Sequence, residues 1–221
     1  MSERRLLSLL IDRDSGFIPD FYIERQLIPC FEDGPALFLP FLLMQIAPLG
    51  FFFNGEPWKY PLLRHQQEKV SALEKKVWLT TSGDAGLEWD VHPKKKRPIG
   101  ERLSLLAAGH VYGEEILCDP PKIDQMDVSD GAICLTFANV PGGIVCTDPA
   151  VPELIVKREG QKLAGYEVRF QGDQMILTSD QVREGDAIEV LYAMEPYYES
   201  SIYNQAGIPA LPARLPKENL S

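Results

Sequence analysis

The sequence predicts an α/β fold in two parts: an open, mainly parallel sheet with flanking helices, then a small antiparallel, sandwich-like β domain. Two observations carry this. In the first half, near-continuous apolar runs flank a stretch of helical spacing; parallel strands covered on both faces and joined by crossover helices read that way. In the second half, short runs of β character are separated by Gly, Pro and Asp, as antiparallel strands joined by tight turns are. The switch falls at the rigid connector Asp119-Pro120-Pro121. Residues 1–118 and 119–221 are therefore expected to be the two domains.

The elements follow in order. Ala36 to Phe53 is almost wholly apolar and near the length of a membrane span. Pro40, Pro48 and Gly50 would break a single helix there. A buried strand over Pro40 to Ala47, with Gln45 near its carboxyl end, fits better, and no membrane association is expected. Pro61 to Val77 has apolar residues at 62, 63, 70, 73 and 77, with Lys75 and Lys76 suitably placed at a helix C-terminus. Val77 to Thr81 reads as a short buried strand, and Ser82 to Glu88 as a Gly/Asp loop. A helix is expected over Pro98 to Val111, with Ile99, Leu103, Leu105, Leu106, Ala107 and Ala108 on its apolar face. Beyond Gly113, strands are expected at 131–140, 153–158, 165–170, 175–178 and 188–194, and Asn204 to Pro216 as an extended strap.

Composition excludes some functions. A net charge of −10 argues against sequence-independent nucleic-acid binding, which needs a basic face. The dense basic run, residues 94–97, reads either as a solvated helix entrance or as a rim that steers an anionic substrate. The four cysteines, Cys30, Cys118, Cys134 and Cys146, lack CxxC spacing, so buried reduced thiols are expected. No metal or other cofactor is expected. Met1 to Ile11 lacks the small-residue cleavage site of a signal peptide, which predicts a cytoplasmic location.

Chemistry concentrates at Asp90-Val91-His92-Pro93, just before the Lys/Arg run. In a Ser-His-Asp hydrolase, the His takes the proton of the nucleophile and returns it to the leaving group, while a carboxylate fixes its tautomer. Asp90 and His92 share a turn and can act together. Of the three histidines, His65 falls within a helix and His110 near a helix C-terminus. His92 alone sits in a loop beyond a strand's carboxyl end, where open α/β sheets build their sites.

The run from Asp90 to Gly113 resembles the last block of the sialate O-acetylesterase family, within the SGNH-type carbohydrate esterases. The matching residues are Asp90, His92, Pro93, Lys96, Gly100, Arg102, Leu103, Tyr112 and Gly113. Three further stretches are similar to that family: Pro40 to Pro48, ending in Gln45-Ile46-Ala47-Pro48; Leu63-Arg64-His65-Gln66-Gln67; and Tyr203-Asn204-Gln205-Ala206-Gly207-Ile208-Pro209-Ala210-Leu211-Pro212. The resemblance covers residues 36–214. It implies a flavodoxin-like sheet, only part of which this chain supplies, and removal of O-acetyl groups from sialic acid or related sugars. His92 would be the base, and Asp90 its orienting carboxylate, with Asp84 as the alternative.

The chain departs from the family in several respects. The nucleophilic Ser of the family lies in an upstream Gly-x-Ser block, and neither that block nor the oxyanion-hole Gly and Asn blocks is recognisable here. The resemblance therefore implies a truncated esterase, its C-terminal part, complemented by another segment or self-associating through exposed apolar faces. Ser15, after the apolar run Leu6 to Ile11, is the local candidate nucleophile, but no Gly precedes it at the right spacing. Residues 12–34 have no placeable counterpart in the family. The alternative function is a catalytically incomplete remnant that binds carbohydrate or serves a structural role.

Overall fold

The computed structural model describes residues 40–50, 59–90 and 92–216. Ser15, Cys30 and the insertion at 12–34 lie outside these residues, as do the ends of the apolar run at 36–39 and 51–53. The fold is mixed α/β with mostly antiparallel sheets. Among the described residues, parallel pairing is confined to β1 (Phe41–Met44) against β2 (Val77–Thr80), in register from Phe41–Val77 to Met44–Thr80. No helix among them is long and apolar enough to cross a membrane.

Helix α1 (Lys59–Leu73) connects the two parallel strands. It ends earlier than its apolar spacing predicts, because Val77 belongs to β2. Lys76, at φ 63°, turns the chain between helix and strand. Helix α2 (Lys96–Leu106) buries Arg102 and Leu106, then widens into a π-helical turn over Ala107–Val111. The predicted helix over 98–111 thus exists, with a change of winding in its last part.

The second part of the chain is a sandwich. One sheet has the order β3-β4-β9-β8 and the other β12-β10-β6-β7. The first contains β3 (Lys122–Ser129), β4 (Ala132–Ala138), β8 (Glu167–Gln171) and β9 (Gln174–Thr178). The second contains β6 (Leu154–Arg158), β7 (Gln161–Lys162), β10 (Ile188–Tyr192) and β12 (Ala213–Leu215). Ile133, Leu135, Met175 and Leu177 of one sheet share a core with Val156, Val190 and Tyr192 of the other. Alternation explains the choice: β4 buries every second residue, Ile133, Leu135 and Phe137.

The turns also match the sequence. Glu159 and Gly160 both have positive φ between β6 and β7, as a type I′ hairpin requires. Strand β3 was not predictable in the same way. A register shift between Ile123 and Gln125 puts Ile123 and Met126 on the inner side at odd spacing. That bulge destroys the period of two on which sequence reading depends.

The C-terminal strap is extended and deeply packed, with Ile202, Ile208 and Ala210 fully buried. The short strand β11 (Ile202–Tyr203) pairs with β5 (Val145–Cys146). Buried Glu153 accepts hydrogen bonds from the Ser201 amide (2.6 Å), the Ser201 hydroxyl (2.7 Å) and Tyr192 (3.1 Å), so the segment that leads into the strap and the sandwich share one carboxylate. Leu135→Ala should destabilise the chain by about 2–5 kcal/mol, because it empties a fully buried position between the sheets. Urea denaturation with an unchanged m-value would show it.

Candidate functional site

The site is built from the segments that leave the carboxyl ends of β1 and β2. Gln45, one residue past β1, is buried and fully engaged. Its amide donates to the Arg64 carbonyl (3.1 Å), its side-chain oxygen accepts from Thr81 (3.1 Å), and its main-chain carbonyl accepts from Ser82 (2.8 Å). Gln67 of α1 accepts the Ile46 amide at 2.9 Å. These bonds replace strand pairing where the two chains diverge and hold the loop after β2 against the segment after β1.

Arg102 fixes the same loop from the other side. Its guanidinium makes a two-pronged ion pair with Asp84, both bonds 2.7 Å, and also donates to the Thr81 carbonyl (3.1 Å) and the Gly207 carbonyl (3.3 Å). Asp84, the alternative orienting carboxylate, therefore has both oxygens on Arg102. Arg64 is buried too. It donates to the carbonyls of Ala193 (3.4 Å), Glu195 and Pro196 (3.3 Å), and lies 5.1 Å from the Tyr198 ring centre. Burial lowers the Arg64 pKa, while the phenols of Tyr198 and Tyr60 oppose that shift. Burial pushes Tyr198 up to about 12 against the pull of Arg64. Tyr203 also rises to about 12, first through burial and then through Asp84.

Beyond Asp84 the loop turns outward. Gly86 packs so tightly on Pro48 that a Cβ would strike the Pro48 carbonyl oxygen. The Gly50 amide donates to the Glu88 carbonyl (3.0 Å), and Leu87 bridges Asp90. Asp90 accepts the His92 backbone amide at 2.9 Å, and its Oδ1 lies 3.3 Å from His92 Nδ1. The two residues joined in the sequence reading are thus in contact. That leaves Nε2 of His92 as the ring nitrogen not facing Asp90. The side chain of His92 is 84% exposed and that of Asp90 42%. The His92 amide is the main cause of a lowered Asp90 pKa, with the imidazole and Lys94 acting in the same direction. Among the described residues no hydroxyl or thiol is hydrogen-bonded to His92. Trp89, 71% exposed, stands beside this pair in sequence.

Two other features were not legible in the sequence. A shallow cleft of about 540 Å³ is lined by Pro61, Leu62, Lys157, Glu189, Arg214 and their neighbours. Within it Glu189 is held between Lys157 (2.7 Å) and Arg214 (2.8 Å). It does not include Asp90 or His92. His110, expected at a helix C-terminus, stacks on Trp78 at 4.9 Å and meets Asp119 at 2.8 Å. Cys118 lies beside that pair.

No family model and no curated protein sequence matches the chain. Among solved structures, the chain is similar to a carbohydrate acetylesterase from Xanthomonas citri, with 26% identity and a TM-score of 0.67. The match covers 80% of this chain and 41% of that one, so the chain spans about two fifths of that protein's length. The likeness relates this fold to a carbohydrate esterase.

Arg102→Met should destabilise the chain by about 3 kcal/mol, since it strands the Asp84 carboxylate and two carbonyls. Arg102→Lys should recover only part of this, because an ammonium cannot reproduce the two-pronged geometry. Denaturant midpoints of the three proteins would rank them.

Proposed function

We propose that the chain supplies the base of a carbohydrate acetylesterase, removing O-acetyl groups from sialic acid or a related sugar by a Ser-His-Asp mechanism. The observation that carries this reading is the Asp90–His92 contact, on the loop that leaves the carboxyl end of β2. The likeness to a carbohydrate acetylesterase of known structure supports it. In this reading the parallel pair β1–β2 belongs to a larger flavodoxin-like SGNH sheet, and residues 119–221 form the accompanying β domain.

Each residue then has a definite task. Asp90, against Nδ1, holds the imidazole so that Nε2 faces the substrate side and can take a proton. As the nucleophile attacks the acetyl carbonyl, Nε2 accepts its proton, and the imidazolium is stabilised by Asp90. The same proton then passes to the departing sugar oxygen. Water repeats the cycle on the acyl-enzyme and releases acetate. The nucleophilic hydroxyl and the oxyanion donors come from residues beyond those described, with Ser15 as the candidate that the sequence of this chain offers. Exposure of His92 is consistent with a surface that another segment completes.

The test is hydrolysis of p-nitrophenyl acetate and of an O-acetylated sialic acid, beside His92→Ala, Asp90→Asn and Ser15→Ala. Turnover should fall about 10²- to 10⁴-fold in His92→Ala, the usual contribution of a general base. Loss in Ser15→Ala as well would identify the nucleophile within this chain. Turnover unchanged in His92→Ala would sink the catalytic reading and favour a carbohydrate-binding or structural remnant, whereas none with either ester would mean that the nucleophile must be supplied by another segment.

Asp90 also has a pH signature. Its lowered pKa means that the carboxylate should remain ionised below 3.8, and the turn loses its contribution only as pH falls through that depressed value. Carbon-13 NMR titration should show this. Most of the depression should survive His92→Ala, because the backbone amide is its first cause. A midpoint at or above 3.8 would contradict the assigned hydrogen bond.

A further inference from the structure

At the opposite end of α2 from His92, three donor side chains converge. One ring nitrogen of His110, Sγ of Cys118 and a carboxylate oxygen of Asp119 all lie within 4.8 Å of one another. A hydrogen bond between His110 and Asp119 accounts for two of these groups. It does not account for a thiol within reach of both.

Several features hold the three groups ready. The π-helical turn, with the Tyr112 amide bonded to the Ala107 carbonyl at 3.0 Å, changes the winding at His110. Trp78 stacks on the imidazole with an interplanar angle of 11° and fixes the ring plane. Gly109 is required by the sulfur: a Cβ there would stand 2.5 Å from Cys118 Sγ. Asn204 donates to the Asp119 carbonyl at 2.9 Å and anchors its backbone.

We propose that His110, Cys118 and Asp119 form a binding site for a borderline-soft divalent cation of the zinc class. The donor set decides the class. A mixed nitrogen, sulfur and oxygen triad suits zinc, whereas magnesium and calcium take oxygen ligands. Bond lengths of about 2.0–2.3 Å put tetrahedral donors about 3.3–3.6 Å apart, within side-chain adjustment of the distances here. Cys118 is buried, while the side chains of His110 and Asp119 are 25% and 40% exposed. The ion therefore enters from solvent and keeps its fourth position for water. On binding, the thiol releases its proton to solvent. The ion replaces the proton shared by the His110 nitrogen and Asp119, which moves to the other ring nitrogen of a neutral imidazole. No electron is transferred. The bound ion ties the end of α2 to the connector that opens the β domain. This site is separate from the Asp90–His92 turn, and its existence does not depend on the esterase reading.

Titration of the metal-free full chain with Co²⁺ reads the site directly, since a Cys ligand gives a sulfur-to-cobalt charge-transfer band. One equivalent should bind, with that band present, and Zn²⁺ should displace it. Cys118→Ser should abolish the band, whereas Cys30→Ser, Cys134→Ser and Cys146→Ser should keep it. Asp119→Asn, which retains size and hydrogen bonding, should weaken binding at least tenfold with unchanged circular dichroism. Zn²⁺ should raise the Tm of the parent chain and fail to raise that of Asp119→Asn. A band that survives in Cys118→Ser, full affinity in Asp119→Asn, or no stoichiometric binding by the parent chain would each overturn the proposal.

Discussion

The placement of the site depends on the burial of Arg102. A guanidinium carries five donors and stays charged, so burying it is tolerable only if the surroundings supply acceptors of matching geometry. Asp84 supplies two oxygens and Thr81 and Gly207 supply carbonyls. These acceptors come from the loop after β2 and from the C-terminal strap. One cation on α2 therefore fixes segments more than a hundred residues apart in sequence. Arg64 on α1 imposes the same constraint on residues 193–196. Two helical arginines thus tie the α/β part to residues 193–196 and to the strap by bonding main-chain carbonyls.

This economy separates structure from chemistry along a short loop. Thr81, Ser82 and Asp84 are consumed by Gln45 and Arg102. A few residues later, Asp90 and His92 bond chiefly to each other and face outward. A base needs one ring nitrogen fixed and the other free, and a turn that ties Asp90 to the His92 amide provides that without help from distant elements. Catalytic strength would require that water be excluded around the pair, because a screened imidazolium gains little from its carboxylate. The electrostatic value of the proposed base therefore rests on whatever covers this turn.

The sandwich contributes a rigid support. Its core joins both four-stranded sheets, and Glu153 ties the segment that leads into the strap to it through Tyr192 and Ser201. Asn204 then bonds the carbonyls of Asp119 (2.9 Å) and Asn139 (3.3 Å), carrying that rigidity to the connector beside His110. The three segments of family resemblance outside the Asp90 block place Gln45, Arg64, Gln67 and Asn204 in these buried hydrogen bonds. Those stretches thus include residues that hold the fold.

The amino-acid sequence by itself determined the strand–helix–strand unit around β1, α1 and β2, most of the sandwich strands and the pairing of Asp90 with His92. In each case the signal is local: apolar periodicity, a glycine turn, or two residues on one bend. Tertiary structure alone decided that the parallel pairing described is confined to one pair of strands, that β3 joins the sandwich through a bulge, and that Asp84 belongs to Arg102. It alone brought His110 to Cys118 and Asp119, eight and nine residues away, because a π-helical turn and a reversal of the chain lie between them. Such contacts leave no periodic trace in a sequence. They arise when buried charges and carbonyls, excluded from water, must find partners wherever the fold presents them.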